Sequence, residues 1–172
     1  MTTRNAWATA AVRVAFGVIW AIDAWLKWQP GFRTTFLPNM LATAAAQPRW
    51  LSPWFDFWLR LERPAPGLWV YLGAAVETVI AITLLLGLGR RVVYVGGAVY
   101  SLLIWSTAEG FGGPYGQGAT DIGTSIIYVM VFLALLVILE HGLDRRYVLD
   151  GAITRRIPRW AHVAGPGGAT HC

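Results

Sequence analysis

The sequence predicts an all-α fold: an integral membrane four-helix bundle with an interfacial Trp-rich segment between helices 1 and 2. Three observations predict it. Only 13% of the 172 residues are charged, against about a quarter in a soluble domain. Apolar residues make up 56% of the chain. They gather in runs of roughly 20, the length that crosses ~30 Å of hydrocarbon at about 1.5 Å per residue. Between the first two runs, Trp50, Trp54 and Trp58 recur every four residues, as aromatics do at the headgroup level of a bilayer.

The first run covers residues 6–28. Arg13 lies inside it, and it ends in Asp23, Trp25, Lys27 and Trp28. A signal peptide keeps a purely apolar centre and ends in small residues, so this run reads as a retained helix. Residues 29–66 form a long polar connection. Pro30, Pro38, Pro48, Pro53, Pro64 and Pro66 rule out one continuous helix across it. The stretch from Trp50 to Leu61 reads as a short helix lying in the interface. Residues 67–88 are the second span, with Glu77 near the centre, and they exit through a basic turn at Arg90 and Arg91. The third span covers 92–110, where Gly96, Gly97 and Ser101 offer small surfaces for close helix contact. A glycine-rich loop from Glu109 to Gly123 follows, with one acid near each end and no Lys or Arg. The fourth span covers 122–140. The domain is thus expected over 1–141, with a basic, partly disordered tail over 142–172.

Four crossings put both termini on one side. That side collects Arg4, Arg90, Arg91, Arg145, Arg146, Arg155, Arg156 and Arg159. The opposite side collects Arg33, Arg49, Arg60 and Arg63 from one long loop. The positive-inside rule then predicts a multi-pass plasma-membrane protein with both termini in the cytoplasm. The isoelectric point near 9.9 reports this placement, and no nucleic-acid partner is expected. The lipid bilayer is the expected environment, with a homo-oligomer open.

Ionisable residues inside a membrane cost ~2.5–3.5 kcal/mol each, so they face the bundle interior and find partners. Arg13 lies roughly 10 Å from the inner end of its span and Glu77 roughly 16 Å, by helix rise. A long Arg side chain spans that difference, which predicts an Arg13–Glu77 structural ion pair. Near the outer boundary, Asp23, Lys27, Glu109 and Asp121 are expected to converge. Asp23 and Lys27 share a helix face at i, i+4. The plain alternatives stand beside this cluster: Asp121 as an N-cap, and Lys27 reaching to the headgroups.

Several chemistries drop out. His141, His162 and His171 all follow the fourth span, so no His pair can hold a haem within the bundle. The lone cysteine, Cys172, provides no thiol pair and no iron–sulfur ligand set. The glycines of 110–118 do not form Gly-x-Gly-x-x-Gly, which leaves no nicotinamide site. If electrons move here, a diffusible quinone is the natural carrier. It needs an apolar slot, aromatic walls and a few proton-handling groups. Trp28, Trp54, Trp58 and Tyr115 are the candidate walls.

Arg13, Gly17, Trp20, Lys27 and Trp28, then Gly31-Phe32, then Glu77 and the Leu-Leu-Leu-Gly-Leu-Gly-Arg90 exit, resemble the DoxX/DoxD family of small four-helix membrane proteins. The segment Glu109-Gly-Phe-Gly-Gly-Pro-Tyr-Gly through Thr-Asp121-Ile-Gly123 is similar to the DoxD-like branch and its thiosulfate:quinone oxidoreductase small subunit. The resemblance covers most of residues 10–140. It implies oxidation of thiosulfate to tetrathionate, electrons passed to a membrane quinone, and a second subunit. Glu109, Asp121, Asp23 and Lys27 are then the catalytic candidates. Lys27 with Arg33, Arg60 or Arg63 would attract the dianion, while Glu109 and Asp121 suit proton release. The competing expectation is a non-catalytic scaffold whose arginine-rich tail docks a soluble redox or oxidative-stress enzyme.

Overall fold

A computed structural model describes residues 3–113, 121–143 and 148–165. Among the described residues the fold is all-α, with eight α-helices, three short 3₁₀ turns and no strand. Helix α1 spans Thr3–Lys27, α2 Pro30–Ala46, α3 Ser52–Glu62, α4 Pro66–Leu86, α5 Arg90–Ser106, α6 Thr124–Glu140, α7 Asp150–Arg156 and α8 Ala161–Ala164. Within α1 and α4, Trp7–Lys27 and Pro66–Leu86 are long and apolar enough to cross a membrane, and α6 is a shorter apolar helix.

The prolines of the 29–66 connection act at helix starts more than as breaks. Pro30, Pro53 and Pro66 sit in the first turns of α2, α3 and α4, where the missing N–H would have had no partner. Pro38 lies inside α2, so this stretch holds two helices where the sequence suggested one. The third apolar run is shorter than expected: α5 ends at Ser106, and Glu109 belongs to the turn beyond it.

Four helices share one core. Phe16 and Trp20 of α1, Leu84 of α4, Tyr94 of α5, and Phe132 and Leu135 of α6 are all buried in it. The Phe16 and Phe132 rings meet edge-on at 4.8 Å. Neighbours run antiparallel. Arg13 and Gly17, early in α1, meet Leu84 late in α4. Gly97 of α5 lies under the Phe132 ring of α6, and a Cβ there would come within 2.3 Å of it. Outward, these helices present apolar side chains: Ile22 is 53% exposed, Val79 58%, Val99 65% and Met130 63%.

Residues 148–165 are folded onto the α4–α5 turn, while 166–172 lie outside the described residues. Asp150 is fully buried. Its carboxylate accepts from Gly89 N at 2.7 Å, Arg90 Nε at 2.9 Å and Trp160 Nε1 at 2.7 Å. Trading that carboxylate for a methyl removes the acceptor of the buried Arg90 Nε, Gly89 N and Trp160 Nε1 together. Asp150→Ala should therefore lower unfolding stability by about 3–5 kcal/mol, read from denaturant titration of the purified protein. Gly97→Val should cost about 1–3 kcal/mol by forcing the Phe132 ring aside.

Candidate functional site

The last turns of α1 carry the charge that the centre of α4 lacks. Glu77 is 1% exposed, and a buried carboxylate is costly unless paired and hydrogen-bonded. Lys27 turns back along α1 and its Nζ donates to Glu77 Oε1. Tyr100 of α5 donates its hydroxyl to the same oxygen at 3.3 Å. Glu77 Oε2 has no hydrogen-bond partner. Asp23, one turn before Lys27, accepts from the Tyr128 hydroxyl of α6 at 3.1 Å. Two carboxylates, one ammonium and two phenols thus sit on four helices, with one surplus negative charge when the acids are ionised.

The expected Arg13–Glu77 pair does not form. Arg13 Nη1 donates to the Leu84 carbonyl and, at 3.4 Å, to that of Leu85. These carbonyls belong to the last turn of α4, the negative end of its dipole, which favours a cation. Antiparallel packing sets Arg13 there and leaves Glu77 about two turns away, on the side from which Lys27 turns back to meet it.

The outer cluster divides. Asp23 and Lys27 join Glu77, but Glu109 and Asp121 have local tasks. Glu109 accepts from Ser125 N at 3.0 Å and from Ser125 Oγ at 2.8 Å, so it caps α6 from a distance. Gly123 (φ +90°) makes room for this, since a Cβ there would lie 2.5 Å from Glu109 Oε2. Exposed Asp121 accepts from Gly123 N at 2.7 Å, a short turn of its own. Removing the Glu109 cap, as in Glu109→Ala, should cost about 1 kcal/mol, seen in thermal unfolding.

Beside the Lys27–Glu77 pair lies a cavity of ≈ 420 Å³, within the range of small-molecule sites. Phe32 and Phe36 of α2, Trp58 of α3 and Trp69 of α4 wall it. Lys27, Glu62 and Tyr100 supply its ionisable lining. Of the expected aromatic walls, Trp58 lines it. Trp54 instead donates to the Ser106 carbonyl at 2.9 Å, and Trp28 donates to Thr78 Oγ1 at 3.1 Å. Both fasten helices. Tyr115 lies outside the described residues.

Glu62 was not among the residues singled out from sequence, although it continues the four-residue series Trp50, Trp54, Trp58. It ends α3 and is 6% exposed. Its Oε2 and the Trp58 Nε1 are both buried without a partner. Trp69 Nε1 donates to the Leu61 carbonyl at 2.9 Å, which holds this end of α3 against α4. Burial pushes the Glu62 carboxyl up to about 7. Tyr100 and Tyr128 were likewise missed; nothing in a lone apolar tyrosine signals an acidic partner on another helix.

Lys27→Met or Glu77→Leu alone should destabilise by about 3–5 kcal/mol, because each strands a buried charge. The double variant should recover most of that loss, a coupling that a double-mutant cycle measures. Glu62 adds a pH dependence. Its folded-state pKa is raised, so the stability it contributes is full below about pH 4.5 and lost as pH rises through about 7. Glu62→Gln should abolish that slope and raise stability near pH 8 by on the order of 1–3 kcal/mol. Comparison with protein-family models, curated proteins and solved structures finds no match to the chain.

Proposed function

We propose that this is a multi-pass membrane protein and the membrane subunit of a quinone-linked oxidoreductase. The observation that carries the reading is the aromatic-walled cavity beside the Lys27–Glu77–Tyr100 contact. The membrane half rests on the exterior. A coat of exposed Ile, Val, Leu and Met around α1, α4, α5 and α6 is unfavourable in water and natural in hydrocarbon. The four helices then form the bundle, α2 and α3 lie at its outer boundary, and the arginines near the α4–α5 turn and the tail put both termini in the cytoplasm.

A quinone supplies two-electron, two-proton chemistry when bound. The residues present fit its ring. Phe32, Phe36, Trp58 and Trp69 offer apolar faces. The Trp58 N–H and the Glu62 Oε2 lack hydrogen-bond partners inside the protein, so a ring oxygen would satisfy both. Lys27, neutralised by Glu77, positions one side of the cavity without adding net charge. It is therefore a poor anchor for a dianion. Thiosulfate, the donor that the DoxD-like resemblance implies, is better met by Arg60 and Arg63. These line a hollow of ≈ 290 Å³ on α3, with Asp56 as a partial counter-charge.

A purified sample in lipid nanodiscs should bind a short-chain quinone analogue and show quenched tryptophan fluorescence. Trp58→Phe should weaken that binding by roughly five- to tenfold, the worth of one hydrogen bond. Membranes carrying the protein should reduce the analogue when given thiosulfate. Absence of binding in the nanodisc sample sinks the quinone reading. Binding without thiosulfate-dependent reduction, with its partner subunit present, sinks the donor assignment alone. The scaffold reading draws on exposed Arg155, Arg156 and Arg159. Reversing those three charges should leave quinone reduction unchanged, and its loss on reversal would favour the scaffold.

A further inference from the structure

The cavity has two unlike poles. At one, Lys27 and Tyr100 are already engaged with Glu77. At the other, Trp58 and Glu62 stand four residues apart on α3, with Trp58 Nε1 and Glu62 Oε2 buried and unpartnered. Residues spaced i, i+4 share a helix face, yet this donor and this acceptor make no hydrogen bond to each other in the structure. Leaving two such groups buried costs on the order of a lost hydrogen bond each, and a ligand oxygen that accepts from one and exchanges a proton with the other relieves both.

We propose that Glu62 is the proton-exchanging carboxyl of the cavity, and that with the Trp58 N–H it distinguishes the oxidised from the reduced form of a quinone-type ring. The proposal rests on the quinone reading and assigns the residue that handles its protons. The matching is one of donors and acceptors. Protonated Glu62 donates, so with Trp58 it satisfies a carbonyl oxygen, which can only accept. Ionised Glu62 accepts, so it satisfies a ring hydroxyl, which donates. For each ring reduced, two electrons come from the reduced-sulfur donor and two protons are taken up. Glu62 passes one of those protons: its O–H bond breaks, the ring oxygen near it gains the hydrogen, and water at the outer face restores the carboxyl; the second proton comes from the same water directly to the other ring oxygen.

The groups that could compete are few. Lys27 from α1 and Tyr100 from α5 are the other ionisable residues lining the cavity, and the lining from α2 and α4 contains none. Lys27 is held by Glu77. Burial places the titration of Glu62 at about 7, where both protonation states are accessible.

The experiment measures binding of an oxidised quinone analogue and of its hydroquinone to the full-length protein in nanodiscs, from about pH 5.5 to about pH 8.5. The oxidised form should lose up to about tenfold in affinity as pH rises through 7, and the hydroquinone should gain by a similar factor. Glu62→Gln should bind both forms with both slopes flattened. Trp58→Phe should weaken both forms and keep the slopes. Infrared difference spectra should show a protonated-carboxyl band that shifts when the oxidised form binds and is absent in Glu62→Gln. If neither form binds the wild-type protein at any pH, the quinone reading itself fails. If both bind but the wild-type slopes are parallel or absent, or if Glu62→Gln retains them, the assignment of Glu62 is overturned. Should Glu62→Gln not fold, the wild-type slopes and the Trp58→Phe series still decide.

Discussion

The structure depends on how the charge of Glu77 is met. A carboxylate near the middle of α4, 1% exposed, is tolerated only with a partner brought to it. Lys27 is that partner, and its reach from the last turn of α1 fixes how far α1 slides along α4. Arg13 sets the other end of the same helix by donating to carbonyls of the last turn of α4. Two cations fourteen residues apart on α1 thus pin one helix against another at two levels. Tyr100 ties α5 to the same carboxylate, and Tyr128 ties α6 to Asp23 of α1. The cavity is where this arrangement leaves room, between the first half of α4, α5 and the two helices α2 and α3.

The acids sort by how fully they are satisfied. Asp150 accepts from two backbone amides, one guanidinium and one indole. Glu109 accepts an amide and a hydroxyl of Ser125. Both are fasteners, one joining the tail to the α4–α5 turn and one closing the start of α6. Glu77 and Glu62 each keep a buried oxygen with no partner. Buried polar atoms are rarely left this way, and both incompletely satisfied carboxyls belong to the cavity and its adjoining contact.

What the sequence made legible follows from which physics is local. Helix extents came through because apolar run length and proline position act within one segment: 67–88 against Pro66–Leu86, and 122–140 against Thr124–Glu140. The Trp-rich helix was legible for the same reason. Partner choice was not. Depth counted from helix ends placed Arg13 near Glu77, but the antiparallel register set Arg13 opposite the end of α4, and no local pattern encodes that offset. Glu109 and Asp121 misled in a related way. Their places at the end of the third span and the start of the fourth suggested convergence with Lys27 at the outer boundary, whereas glycines at positive φ, Gly110, Gly112 and Gly123, let the chain turn each carboxylate onto nearby backbone. Glu62 was visible in principle. It extends the spacing of Trp50, Trp54 and Trp58 by one more step, and an acid on the buried side of an aromatic helix face is the kind of break in pattern that marks a site.

The two poles of the cavity do different work for a general reason. A molecule whose two forms differ by protons at its oxygens looks nearly the same to a fixed charge pair, because Lys27 and Glu77 neutralise each other whichever form is bound. Such a pair can position a ring but cannot tell the forms apart. Discrimination needs a group that changes from donor to acceptor within the working pH range, and it needs that group to lack a partner of its own. Tyr100 is already committed to Glu77, and Lys27 is held in its ion pair. Glu62 alone among the cavity's ionisable residues is buried, unpartnered at one oxygen and poised near neutrality. Under the proposed function, the Lys27 side holds the ring and the α3 side reads its protonation, so the short helix crossing the bundle end carries the chemistry while the four core helices supply the frame.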